Sequence, residues 1–439
     1  MLFFSASPSP ALTQRRRLGL WLRLRAALRT GRVVAVAVLA GAAAALFARL
    51  CDAAMAIHAR WFALSPWATL ALLPIGLAVG AWLTRRFAPE AAGSGIPQVI
   101  AAADHRWGGR WGGQRVTLKT AAWKVVLSAA MLLCGASIGR EGPTVQVVAG
   151  IMRSLTRGLR GGAGRRAMIV AGGAAGVAAA FNTPIAGVVF AVEELARGFE
   201  RRTHTTAILV VVAAGFTAYA LQGDYAYFGQ MTGAALGSAW IAAPIIGLAA
   251  GFCGGLFARA LIALIGPDAA NPIARFRRLR PVLFAGLCGL VAVACALISG
   301  GVTFGAGYNE AKSLLQDHPG RGASLAVFKA IASLAASASG APGGIFAPSL
   351  ATGAGIGAMF SRMGLLVGGR DAVVLGMTGY LSGVVQAPLT SAVIVMEMTR
   401  DPGLVGPLML AALLARWVSS LVMPEPLYHV LSRAWRRTG

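Results

Sequence analysis

Gly139-Arg140-Glu141-Gly142-Pro143 opens an apolar segment of this chain, and Gly93-Ser94-Gly95-Ile96-Pro97 opens another 46 residues earlier. Both put glycine and proline at the mouth of a helix. Glycine lets the backbone approach a ligand closely, and a proline in the first turn gives up an N–H that has no intrahelical partner. A helix that starts this way points unpaired N–H groups and the positive end of its dipole at whatever lies in front. In water that is an ordinary cap. In a bilayer, non-helical backbone is tolerated only where protein buries it or where it lines a cavity. Two such breaks at membrane depth therefore predict an anion site, and the second carries a carboxylate as well.

The depth follows from composition. Hydrophobic residues make up 57% of the chain and charged residues 13%, against about 25% charged in a soluble globular protein. The expected fold is an all-α polytopic membrane protein. Apolar stretches of roughly 17–25 residues qualify as spans; Val33–Ile57, Thr205–Leu221, Trp240–Ile265, Pro281–Ile298 and Leu404–Met423 are the clean ones. Gly247, Gly251 and Gly255 form a small-xxx-small run suited to close helix packing. The net charge of +25 could suggest nucleic acid. The arginines, however, stand at the ends of apolar segments, where they set orientation, and no soluble basic domain carries them. Cys51, Cys134, Cys253, Cys288 and Cys295 lie in or against apolar stretches without CxxC spacing, so neither a disulfide nor a metal role is expected. Nor is a cofactor.

Residues 1–32 read as a cytoplasmic basic arm. It is not a cleavable signal, because its charges follow a polar start and run directly into a full span. Within it, Leu12–Thr30 mixes Leu and Trp21 with Arg in the manner of an interfacial helix. The sequence stops at Gly439, soon after the last span, and no soluble regulatory domain is expected.

Two related halves follow the arm, 33–221 and 222–439, the second ending in an extra C-terminal helix. Asn182-Thr-Pro184-Ile-Ala-Gly-Val-Val-Phe-Ala-Val-Glu193 aligns with Gln386-Ala-Pro388-Leu-Thr-Ser-Ala-Val-Ile-Val-Met-Glu397 at an offset of 204. Gly135, Ala136, Gly139 and Pro143 match Gly340, Ala341, Gly344 and Pro348 at 205. Charge gives the sense of the repeat. An arginine-rich arm precedes the first half, whereas Gln222–Ser238 before the second has no Lys or Arg. Arg60 alone follows the first span, but Arg275, Arg277, Arg278 and Arg280 follow its counterpart. By the positive-inside rule the halves are inverted relative to each other, with both termini cytoplasmic. Inverted repeats with broken helices meeting near the midplane are a transporter architecture.

These motifs resemble the CLC family of chloride channels and chloride/proton antiporters. Its three signatures appear as Gly93-Ser94-Gly95-Ile96-Pro97, Gly139-Arg140-Glu141-Gly142-Pro143 and Gly344-Ile345-Phe346-Ala347-Pro348, with Tyr428 in Pro426-Leu427-Tyr428 as a fourth element. The resemblance covers about residues 33–436. It implies a homodimer in a bacterial inner membrane, with one ion pathway per subunit and many tilted helices. Ser94 and Tyr428 would then offer hydroxyls to a central chloride. The backbone N–H groups of Ile345 and Phe346 would complete the shell, and Gly93 would assist on the cytoplasmic side. Neutral donors suit a halide that must leave again, where a full cation would trap it. A serine in this position also serves as a helix cap. In the family it goes with chloride preference, and proline with nitrate.

The same resemblance makes Glu141 a gate that competes with chloride when ionised and moves aside when protonated. Intramembrane carboxylates are functional candidates in any case. Glu193 and Glu194 separate by the repeat: Glu193 has a counterpart in Glu397, whereas Glu194 aligns with Met398. A residue present in both halves suits a shared scaffold role, by binding backbone or a basic partner. Glu194, without a counterpart, suits a one-sided one. The resemblance agrees, because antiporters carry their internal proton-transfer glutamate there. Lys124 reads as a lone intramembrane charge that either raises the potential of the pathway or snorkels to the interface.

The expected function is chloride/proton antiport, with chloride and protons as the transported ions. A passive chloride channel on the same scaffold is the alternative. Fluoride-exporting relatives depart from the serine and proton-glutamate patterns. An intramembrane serine hydrolase using Ser94 would need a base within reach, and His58, His105, His204, His318 and His429 fall at segment ends or in loops. No acidic ring or carbonyl filter supports a cation channel.

Overall fold

The computed structural model describes residues 10–104, 115–158, 164–195, 201–223, 228, 236–316, 322–363 and 368–437. Residues 1–9 of the basic arm, His105, Arg160, His318, Gly439 and most of the linker Gln222–Ser238 lie outside them. The first half comprises α1 (Pro10–Leu64), α2 (Pro66–Phe87), α3 (Ile96–Ala103), α4 (Leu118–Leu133), α5 (Glu141–Leu155), α6 (Arg165–Phe181), α7 (Pro184–Phe190) and α8 (Arg201–Gln222). A single π-helical turn, Ala191–Leu195, extends α7. The second half begins with α9 (Leu236–Ile265), α10 (Pro272–Leu279), α11 (Pro281–Ser299), α12 (Tyr308–Leu315) and α13 (Gly322–Ala338). It continues through α14 (Phe346–Arg362), α15 (Gly369–Val385), α16 (Pro388–Thr399) and α17 (Val405–Val422) to α18 (Leu427–Arg437). Apart from the short amphipathic α10 and the terminal α18, every helix of one half has a counterpart in the other.

Among the described residues, six helical segments are long and apolar enough to cross a membrane: Leu18–Leu64, Leu70–Phe87, Thr205–Gln222, Gly237–Ile265, Pro281–Ser299 and Pro402–Val422. Five contain or largely overlap the spans read from composition. The sixth, Leu70–Phe87, escaped that reading because Pro74 sits inside α2 and Arg85 and Arg86 end it. One expectation changes. The residues read as a separate interfacial helix, Leu12–Thr30, run unbroken into the first span as part of the 55-residue α1. No glycine–proline break or cap intervenes to stop the helix, since Gly31 stands alone among good helix formers.

The small-residue run is a packing surface. A Cβ on Gly247, Gly251 or Gly255 would strike Ala411, Ala415 or Ser419 respectively, so α9 lies directly against α17 along three successive turns. Glycine and alanine let backbones approach where no hydrophobic driving force exists between helices in lipid.

Contacts between the halves are reciprocal, as a local twofold axis requires. Gly139 N–H donates to the Gly344 carbonyl at 2.7 Å, and Gly344 N–H returns the bond to Gly139 at 2.7 Å. The pair forms an antiparallel bridge between the two inner signature loops. Equivalent non-glycine residues, Asn182 and Gln386, end α6 and α15 in the left-handed conformation at φ 58° and 59°. Lys124 on α4 and Lys329 on α13 are 205 residues apart and both completely buried.

Candidate functional site

Three broken loops are sewn together at the centre of the protein. Gly93 and Gly95 take positive φ before α3, Gly95 at 99°. The Gly343 N–H donates to the Gly93 carbonyl at 3.0 Å. Gly142, in the first turn of α5, faces Ser94 so closely that a Cβ there would strike the Ser94 side chain and carbonyl. With the Gly139–Gly344 bridge, these contacts bring the starts of α3, α5 and α14 to one point. That convergence aims three helix N-termini, each with its first N–H groups lacking intrahelical acceptors, into a small volume.

Ser94, Ile345 and Tyr428 line one cavity of about 230 Å³ together with Gly93. Tyr428 enters it from the first turn of α18, where it is completely buried. The phenol ring stacks on Phe346 at 6.0 Å between centroids and 12° between planes. Phe190 and Phe181 close the far side of Phe346. The buried hydroxyls of Ser94 and Tyr428 face each other and have no other hydrogen-bond partner in the protein among the described residues. Buried hydroxyls are normally satisfied. Two hydroxyls with no further partner at one cavity, beside the amide end of α14, are suited to a small anion. All five residues expected at the anion site, Gly93, Ser94, Ile345, Phe346 and Tyr428, are thus brought together.

On the other side lies a second cavity of about 550 Å³, lined by Asp52, His58, Arg140, Tyr308 and Lys312 among others. It shares no lining residue with the first. Glu141, next in sequence to Arg140 of this cavity's wall, lines neither cavity and is 1% exposed. One carboxylate oxygen accepts from the Tyr308 hydroxyl in a short hydrogen bond. The other faces the Ala347 N–H in the first turn of α14 at 3.4 Å. The carboxylate therefore rests at a helix end built to receive an anion. Arg140, its neighbour, reaches away: its Nη1 lies 2.6 Å from Asp52 and donates to the Ala48 carbonyl at 2.5 Å, both on α1.

Tyr308 was not anticipated. Its loop, Gly305-Ala306-Gly307-Tyr308, is the counterpart of Gly93-Ser94-Gly95-Ile96 at an offset of 212, with Gly307 repeating the positive φ of Gly95 at 87°. The connection between α3 and α4, residues 104–117, is eight residues longer than its counterpart, residues 316–321, which hides the match from a search at 205. Where the first half offers Ile96, the second offers a phenol, and where the second half begins α14 with Phe346, the first begins α5 with Glu141.

Lys124 does not snorkel to the interface: it is completely buried. Its amino group donates to the Ala91 and Gly93 carbonyls at 2.8 and 2.6 Å. Lys329 does the same for the opposite loop, donating to Thr303, Phe304 and Gly305 at 2.9, 3.3 and 2.7 Å. Nearby carbonyls turned inward by the positive-φ glycines satisfy the amine better than a long reach to water. The shared offset of 205 was the signal that would have found Lys329.

The paired glutamates divide as the repeat suggests. The Glu193 carboxylate accepts from the N–H groups of Leu389 and Thr390 at 3.1 and 2.7 Å and from the Thr390 hydroxyl at 2.7 Å. Glu397 accepts from Ile185 and Ala186 N–H at 3.2 and 2.7 Å. Glu194, one residue along the π turn, points elsewhere. Its side chain is 2% exposed, and its Oε1 lies 3.7 Å from Nε2 of His429 on α18. π-helical turns are rare and recur at functional sites; here the turn directs adjacent carboxylates to different partners.

A family model described as voltage gated chloride channel matches residues 75–420. Among solved structures, the chain is similar to a slow cyanobacterial Cl−/H+ antiporter, with TM-score 0.79, 24% identity and coverage of 93% of this chain and 98% of that one. A CLC-type fluoride/proton antiporter aligns at TM-score 0.76 and 21% identity over 92% and 98% of the two chains. A eukaryotic CLC transporter aligns at TM-score 0.74 and 21% identity over 94% and 75%. At these identities the likeness is one of fold.

Proposed function

This chain belongs to the voltage-gated chloride channel family, and on that premise we propose that it is a chloride/proton antiporter. The observation that carries the reading is the buried Glu141 carboxylate, held between the Tyr308 hydroxyl and the Ala347 N–H at the start of α14. An ionised carboxylate there occupies an anion position. Protonation removes the charge that the helix end holds, so the side chain yields to chloride arriving beside Ser94 and Tyr428. One residue thereby makes proton uptake and anion passage mutually dependent.

Coupling further needs a route that chloride does not share, and Glu194 supports one. It is a buried carboxylate near the base of Tyr428's helix, off the cavity lined by Ser94. Chloride rather than nitrate or fluoride is the inferred anion, from Ser94 and Glu194 in the family's positions. Lys124 and Lys329 add positive potential behind the two loops while holding their shape. The protein is an integral multi-pass membrane protein. We infer further a homodimer in a bacterial inner membrane, with both termini cytoplasmic and repeats over 33–221 and 222–439.

The reading is tested by purified protein in liposomes under an imposed chloride gradient, with external pH recorded. Uphill proton movement driven by chloride supports antiport. Chloride flux with no proton movement would make the protein a passive channel.

A further inference from the structure

We propose that His429 carries protons between the cytoplasmic solvent and Glu194. The inference rests on the antiporter reading above and supplies the step that reading leaves open. Glu194 is 2% exposed. A carboxylate so enclosed exchanges protons with water only through an intermediary. His429 lies 3.7 Å from it, with its own side chain 18% exposed, so the imidazole spans the distance from the buried carboxylate toward the surface. Imidazole is the side chain that both takes and gives protons near neutral pH, and its two nitrogens allow it to face two partners.

The placement follows from α18. Tyr428 and His429 are consecutive residues in the first turn of the helix and so diverge by about 100° around its axis. Tyr428 turns into the anion cavity, and His429 turns to Glu194. Two other charges on α18 have acidic partners: Arg433 pairs with Glu425, and Arg436 lies 3.1 Å from Asp104 at the end of α3. One helix turn therefore serves two routes that must stay separate.

The step is a simple transfer. In the doubly protonated ring the Nε2–H bond breaks and its electron pair stays on nitrogen. The proton bonds to Oε1 of ionised Glu194, after a small rotation of the ring closes the gap. A flip of the ring then turns the bare Nε2 from its buried position toward solvent, a hydronium ion protonates it and is left as water, and the reverse flip readies the ring again. The reverse sequence returns protons to the cytoplasm.

Liposome assays of H429Q and H429A decide the matter. Glutamine keeps hydrogen bonding without titrating, and the expected result is proton flux reduced roughly tenfold or more with downhill chloride flux retained. Added imidazole should restore proton flux in H429A, which a merely structural residue would not permit. H429Q pumping protons at the wild-type rate would overturn the assignment. So would parallel loss of both fluxes in the two variants without imidazole rescue. If wild-type protein moves no protons, the antiporter reading itself fails. If wild type pumps and H429Q matches it, only the role of His429 falls.

Discussion

Glu193 and Glu397 cap each other's helices. Each carboxylate sits at the C-terminal end of one short helix and holds the first N–H groups of its antiparallel neighbour, α16 in one case and α7 in the other. The charge sits where a helix dipole favours it. Glu193→Gln and Glu397→Gln should each lower stability by about 1–2 kcal/mol, the weight of a charge-assisted cap. Thermal melting in detergent should show similar losses for both, with proton coupling intact in the variants that fold. A large loss in one and none in the other would refute the shared role.

Glu141→Gln and Glu141→Ala should keep chloride flux and abolish chloride-driven proton pumping in liposomes. The neutral side chain no longer competes for the start of α14 and no longer carries a proton. Proton pumping that persists in Glu141→Ala would place the gate elsewhere.

Tyr308→Phe should loosen the gate. The hydroxyl donates to Glu141 and so favours the carboxylate in the position seen here. Deleting one hydrogen bond to a charged group, worth about 1.5 kcal/mol, raises the displaced population roughly tenfold. The expected readout is faster chloride turnover at neutral pH, with a shallower dependence on acidification. An unchanged pH profile would show that the bond does not govern the gate.

Ser94→Pro should shift selectivity toward nitrate, because it removes a hydroxyl donor and reshapes the start of α3. Tyr428→Ala removes the other donor and the ring stacked on Phe346. Chloride binding measured by calorimetry should weaken about tenfold in each, near the value of one hydrogen bond to an anion. Unaltered affinity in both would put the central site elsewhere.

Much of this was legible because broken helices leave a strong local mark. Glycine and proline located the starts of α3 and α5, and the repeated offset pointed to that of α14, without any structure. The division between Glu193 and Glu194 could be read from the absence of a counterpart at Met398. Other features depend on distant partners and leave no such mark. Tyr308 meets Glu141 across 167 residues, and its loop is displaced from the main offset by an unequal connection. His429 looked like one more segment-end histidine, since only the docking of α18 against the π turn brings it to Glu194. Lys124 is the instructive case, because its charge was evident while the carbonyls that hold it were not.

The antiparallel bridge between Gly139 and Gly344 bears on how access to the site can alternate. In a transporter that rocks, the two repeats swing apart as rigid bodies about a fixed site. Here the repeats are hydrogen-bonded to each other at Gly139 and Gly344, beside the Glu141 carboxylate. Swinging them apart would break both bonds of the bridge and strand four backbone groups away from water. The moving part must then be smaller than a helix, and the scaffold can stay closed while single side chains trade places with the ion.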